Sequence, residues 1–161
     1  MRYNDRQSAA SEPNGGRRAR SRQFKEGGVS FSYPDNWRLE REESDTGWTV
    51  SLQSPQTAFV VVSCDGSMPS AEDVAQTTLE ALQSEYPGLE ADPAVDTLAG
   101  QMAVGHDIRF FSFDLTNTCW TRSFYSSGGT VLVLCQSNDL ELEKNEPILR
   151  AMCASLEVDD E

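Results

Sequence analysis

Val29-Ser30-Phe31-Ser32-Tyr33-Pro34-Asp35-Asn36-Trp37-Arg38-Leu39 reads as a strand running into a turn. Valine, phenylalanine and tyrosine alternate with two serines, the period of a half-buried strand. Pro34 fixes its own φ and removes a ladder donor, and Asp35-Asn36 bring turn chemistry, so the strand should stop there. Trp37 follows as a large apolar anchor and reads as core. Folded structure is expected to begin near Phe24, so residues 1–23 read as tail. It should end near Val158, leaving the acidic stub Asp159-Asp160-Glu161.

Working outward, Trp48-Thr49-Val50-Ser51-Leu52 alternates and is expected to pair with this first strand across a polar turn from Glu40 to Gly47. Ala58 to Cys64 is nearly all apolar, as in a strand covered on both faces. Ser70, followed three residues later by Asp73, resembles a capping box and opens a helix that Tyr86-Pro87-Gly88 ends. Val74, Ala75, Thr78, Leu79, Ala81, Leu82 and Tyr86 make its apolar stripe. A linker rich in Asp, Pro and Ala precedes Leu98 to Ala103, a turn and short strand. Gly105 to Leu115 is the next strand, with Ile108, Phe110, Phe111 and Phe113 placing apolar groups on both faces. Thr116-Asn117 turns the chain into Cys119 to Tyr125, and Ser126 to Gly129 forms a hairpin into Thr130 to Gln136. A last helix is predicted over 145–155, with Pro147 in its first turn and Ile148, Leu149, Met152 and Leu156 facing the sheet. Antiparallel hairpins with one internal and one C-terminal helix predict an α+β fold, an antiparallel sheet with helices on both faces.

At 161 residues the chain suits one domain with a real core. No stretch approaches the roughly 20 apolar residues of a membrane-spanning helix. The net charge of −13 conceals a split. Residues 1–22 hold six arginines against Asp5 and Glu12, a balance of +4, which leaves −17 on the remainder. So acidic a domain repels phosphates and anionic headgroups, which argues against nucleic acid as its ligand. The basic tail has the composition of a disordered terminus. It lacks the apolar segment of a secretory signal, so a cytoplasmic location is expected, although a trimmed product would look the same.

Cys64, Cys119, Cys135 and Cys153 lie far apart with no metal-ligand spacing. Buried free thiols are the plainest reading; a disulfide between neighbouring strands, a metal site or a reactive thiol stay open. His106 is the only histidine. On a strand it points away from the face of Asp107, so the two cannot form a dyad. No phosphate-cradling glycine motif occurs, and Gly27-Gly28 reads as linker. Glu40, Glu42, Glu43 and Asp45 gather in one predicted turn, and Asp139, Glu141, Glu143 and Glu146 near the last helix. Neither set has EF-hand spacing, so solvated charge is the default. No cofactor or metal is expected. Trp48 and Trp120 read either as core or as exposed aromatic anchors of the kind that concentrate binding energy.

The stretch Phe31 to Trp37, the segment Leu98-Ala99-Gly100-Gln101-Met102-Ala103, the hairpin ending in Val131-Leu132-Val133-Leu134 and a helix finishing in Ala154-Ser155-Leu156 resemble the Mog1/PsbP-like superfamily. The resemblance spans residues 27–157. It implies a small α/β/α sandwich around an antiparallel sheet, generally without catalytic activity. The superfamily includes a photosystem II extrinsic subunit, a partner of the small GTPase Ran and bacterial proteins, some of them chaperones for secreted effectors. The expectation is therefore a monomeric, non-catalytic module that binds another protein through Glu40, Glu42, Glu43 and Asp45 with Trp48 or Trp120. A chaperone for a hydrophobic segment of a secreted or membrane client is the alternative, and it requires an exposed apolar groove.

Overall fold

A computed structural model describes residues 20–159. In chain order these residues form β1 (Ser21–Glu26), β2 (Val29–Pro34), β3 (Arg38–Glu43), β4 (Gly47–Gln53), β5 (Phe59–Asp65), α1 (Ala71–Glu85), β6 (Glu90–Leu98), β7 (Gln101–Ser112), β8 (Leu115–Ser126), β9 (Gly129–Asn138), α2 (Leu142–Ala154) and β10 (Glu157–Val158). Two antiparallel sheets result: a small one in the order β1-β2-β10 and a large one in the order β3-β4-β5-β9-β8-β7-β6. The expected α+β class is the observed one.

The opening stretch forms β2 and stops at Pro34 as its sequence dictates. Its partners differ from expectation. Ser21 to Gln23, read as tail, pair with Ser32 to Pro34, so order starts before Phe24; residues 1–19 and 160–161 lie outside the described residues. Gly27 and Gly28 are the two-residue turn joining β1 to β2, with φ of 61° and 83°, a left-handed geometry that glycine adopts without steric cost. A Cβ on Gly27 would also stand 3.0 Å from the Trp48 indole nitrogen. β4 pairs with β3 and β5 instead of β2, because Arg38–Glu43 is itself a strand and the hairpin turn is only Ser44 to Thr46. At the far edge, the Asp/Pro/Ala-rich linker is strand β6. Pro93, which cannot donate to a ladder, is tolerated because β6 is an edge.

The β7–β8 turn falls at Phe113-Asp114, with Thr116 and Asn117 already paired inside β8. Helix α1 begins as predicted: Ser70 Oγ accepts a hydrogen bond from the Asp73 backbone N–H at 3.0 Å. α2 begins at Leu142, three residues earlier than expected, which puts Pro147 in its second turn. Asn145 lies inside the helix, where its buried side-chain amide donates to Ser137 Oγ at 3.0 Å and ties the helix to β9.

Most of the core is one cluster. Phe24, Val29, Phe31 and Tyr33 of the small sheet meet Trp48, Val50, Leu52, Val60 and Val62 of the large one, with Leu149, Met152 and Leu156 from the α2 segment. Phe24 stacks on Phe31 at 5.1 Å between ring centroids and touches Trp48 at 5.3 Å. A second cluster joins α1 Leu79 to Ile108, Phe110 and Cys119, with Tyr86 stacked on Phe110 at 4.0 Å. α1 packs mainly on β7, β8 and β9. Val60, Val62 and Cys64 are therefore buried while Phe59, Val61 and Ser63 are only half-buried, and the expectation that β5 is covered on both faces does not hold.

The Ser70 cap satisfies a backbone donor that helix geometry otherwise leaves free. Ser70→Ala should cost about 1 kcal/mol, read as a lower denaturant midpoint at unchanged m-value.

Candidate protein-interaction surfaces

The four predicted acidic residues do not form one face. Glu40 and Glu42 lie on the same side of β3 as their neighbours Ser51 and Thr49; Glu43 lies on the other side, opposite Trp48; Asp45 sits in the turn. Arg38 stands 3.6 Å from Glu40, and Arg41 stands 3.7 Å from Glu43 while also donating to Glu26 on β1. This edge strand is thus a lattice of mixed charge, less acidic than its glutamates suggest.

Neither tryptophan is an exposed anchor. Trp48 belongs to the aromatic stack of the main cluster, and Trp120 lies buried beneath the Arg150 guanidinium, 4.4 Å above its ring centroid. Alternation on β4 and β8 aims both rings at the core, so as contact residues they are corrected.

His106 and Asp107 point to opposite faces, as strand geometry requires. Asp107 accepts a hydrogen bond from Arg122 at 2.9 Å, while the His106 backbone N–H donates to Thr121 Oγ1. Among the described residues, His106 Nδ1 and Ser123 Oγ are buried side-chain polar atoms without hydrogen-bond partners. Arg122 is the buried charge that the sequence does not announce. Its guanidinium donates to Asp96 of β6 at 2.7 Å, to Asp107 of β7 and to the Thr121 carbonyl at 2.8 Å, so one side chain ties β8 to β7 beside it and to β6 beyond. Burial works against that charge, and the two carboxylates more than compensate.

Phe111, Phe113 and Leu140 are exposed apolar residues near the β7–β8 turn of the large sheet, while Val95 and Met102 are exposed on the β6–β7 hairpin and Met68 and Tyr125 elsewhere. Phe111 is 68% exposed and Phe113, at the β7–β8 turn, 96%. Phe113 and Asp114 have φ of 54° and 62°, the geometry of a turn that favours Asn-Gly. A bulky residue is unusual there. The Asp139-Leu140-Glu141 turn lies alongside: the Asp139 N–H donates to the Thr116 carbonyl at 2.8 Å, and Leu140 is 79% exposed. Asp114 stands in the β7–β8 turn, and Asp139, 3.7 Å from Arg109, and Glu141 flank Leu140. The sequence reads Phe111 and Phe113 as strand residues packed on both faces. The available signal was Asp114, a residue that tolerates left-handed backbone, directly after Phe113.

An apolar cavity of about 10 Å³, no larger than a water, is lined by Phe31, Val60, Val62, Val133, Met152, Cys153 and Leu156. An open depression of about 330 Å³ on the uncovered side of β3–β5 is lined by Arg38, Glu40, Ser51, Gln53, Phe59 and Val61. Among the described residues, no group of His, Cys, Asp and Glu is arranged to hold a metal ion, and no helix is long and apolar enough to cross a membrane.

No family model matches the chain, and no curated protein matches it by sequence. Solved structures do match. Cyanobacterial PsbP (CyanoP) from Synechocystis sp. PCC 6803 is similar at 14% identity and a TM-score of 0.63, over 92% of this chain and 98% of that one. PA94 from Pseudomonas aeruginosa is similar at 16% identity and a TM-score of 0.54, over 88% and 99% of the two chains. LpqN, involved in cell envelope biogenesis of Mycobacterium tuberculosis, is similar at 14% identity and a TM-score of 0.50, over 86% and 84%. The fold is PsbP/Mog1-like, as the sequence resemblance implies.

Two outcomes follow from the charge geometry. Arg122→Met should destabilise by about 1–3 kcal/mol, below the roughly 3–5 kcal/mol of a fully buried broken pair because both carboxylates reach solvent, as urea titration will show. The Arg41 hydrogen bond holds the Glu26 carboxyl below its ordinary value of 4.5, so the unfolded chain binds the proton more readily. The pair's stabilisation is present above that ordinary value and lost as pH falls through the lowered one. The stability gap between wild type and Glu26→Gln should close under acid, and a gap constant down to low pH would contradict the assignment.

Proposed function

We propose that this domain is a non-catalytic protein-binding module with an α/β/α arrangement, and that it docks through the Phe111–Phe113 end of its large sheet. The arrangement is supported by β8, where Cys119 packs with α1 Leu79 while its neighbour Trp120 packs in the cluster containing α2 Met152. Neighbouring strand residues face opposite ways.

One observation carries the docking reading: two phenylalanines and Leu140 lie in water at one end, while Trp48 and Trp120 are used internally. Isolated exposed apolar residues are ordinary, but aromatic residues at a rigid hairpin tip have the chemistry of binding hot spots. The flanking carboxylates and the acidic balance of the domain favour a partner whose apolar pocket is rimmed by Lys and Arg. They disfavour a second copy of this chain, and the domain is a monomer in this reading. Charge then speeds encounter and apolar burial holds the complex. The chaperone alternative draws less support, since the enclosed apolar cavity is water-sized and the larger depression is edged by Arg38 and Glu40.

The test compares capture of lysate proteins by wild type, Phe111→Ser/Phe113→Ser, and Glu40→Ser/Glu42→Ser/Glu43→Ser/Asp45→Ser, each first shown to be folded. The tip variant should lose a stoichiometric partner, with affinity reduced at least 30-fold, as expected for hot-spot truncation of about 2 kcal/mol or more. The acidic variant should retain that partner and associate at most several-fold more slowly at low salt. Retention of every partner by the tip variant would remove this surface from consideration.

A further inference from the structure

We propose that Cys135 and Cys153 are a redox pair that closes into a disulfide joining β9 to α2 when the protein meets a peroxide. The inference is independent of the docking surface. The two sulfurs stand 3.6 Å apart, the approach of an intact dithiol already in position to bond. Cys135 is fully buried in the middle of β9, where Val60 and Trp120 are its cross-strand neighbours. Cys153 lies in the last turn of α2 and is half-buried as a residue, so it is the less enclosed member of the pair. Cys153 also lines the water-sized apolar cavity beside Val60 and Val133, which leaves room for the small rotation that bond formation needs.

The surroundings assign the two sulfurs different roles. The hydrogen bond with Cys135 holds the Cys153 thiol below its ordinary value against the cost of burial, helped by the Trp120 indole and the Arg150 charge. The same hydrogen bond and burial push Cys135 well above its own. Cys153 is thus the sulfur that reaches the thiolate state and attacks. The other two cysteines lack this arrangement: Cys119 packs in the α1 cluster, where burial and the Asp107 charge push it up to about 12, and burial likewise raises Cys64.

The chemistry balances with hydrogen peroxide as the oxidant. The Cys153 thiolate attacks one peroxide oxygen, the O–O bond breaks, and hydroxide leaves to take up the proton released by the thiol, giving Cys153 sulfenic acid and one water. Cys135 sulfur then attacks the Cys153 sulfur and displaces its hydroxyl, which leaves with the Cys135 proton as a second water. Two thiols and one peroxide become one disulfide and two waters. A dithiol reductant reverses the change by exchange at Cys153, the less enclosed of the two. The new bond closes the segment containing the Asn145–Ser137 contact and the Leu140 turn, and fastens both ends of α2 to β9.

The experiment uses the full chain, reduced and then treated with a few equivalents of hydrogen peroxide. Wild type should fall from four titratable thiols to two and lose two hydrogens in mass, and peptide mapping should place the link between Cys135 and Cys153. The thermal midpoint should rise by about 5–10 °C and return on reduction, given the short loop that is closed. Cys153→Ser should retain all three of its thiols. Sulfinic acid at Cys153 without a cross-link, a link between other cysteines, or four thiols surviving peroxide would each overturn the proposal. Because mapping is done on wild type, a folding defect in the variant cannot mask the answer.

Discussion

The two-sided burial of β8 is the constraint on which the rest of the structure depends. Eight of its twelve residues are buried, from both faces. Cys119, Thr121 and Ser123 look one way, and Trp120, Arg122 and Phe124 the other, so each face needs its own cover. α1 supplies Leu79 on the first side. On the second, Trp120 and Phe124 belong to one continuous cluster with Phe31 and Met152. Among the described residues Arg122 is the buried charge, and it is admitted because Asp107 of the adjacent strand β7 and Asp96 of β6 beyond it both pair with it.

The parts of the fold that sequence makes legible are those where a local rule and the tertiary demand coincide. β2 alternates and ends on proline, α1 starts on a serine whose hydroxyl really caps it, and Ser127-Gly128 joins β8 to β9 where glycine chemistry says it should. The illegible parts are the edges. An edge strand has one free side and needs no apolar stripe, so β3 carries Arg38, Glu40, Arg41, Glu42 and Glu43 and reads as a polar turn. β6 carries Asp92, Pro93 and Asp96 and reads as a linker. Such charges and prolines stop a free edge from pairing with another molecule, at the expense of the signal by which a strand is recognised.

The candidate site was hidden for related reasons. Aromatic identity alone does not distinguish Trp48, which fills the space under Gly27, from Phe113, which stands in water; only the exact turn position does, and Thr116-Asn117 offered more conventional turn residues than Phe113-Asp114. The approach of Cys135 and Cys153 was equally invisible, because it depends on how α2 settles across β9. No spacing rule within a strand or helix encodes that contact.

The position of β9 has a consequence for how the molecule is made. Its neighbours are β5, finished at Asp65, and β8, the strand just before it, so the two halves of the large sheet are joined by an element near the C-terminus. During synthesis the β3-β4-β5 meander can assemble early, but the inner edge of β5, rich in valine, stays unpaired until residues 129–138 emerge. At ordinary elongation rates that delay is on the order of seconds, long compared with collapse. The nascent chain therefore spends that interval with its stickiest backbone open. Holding it apart from its neighbours on the polysome becomes a requirement that the finished protein no longer reveals.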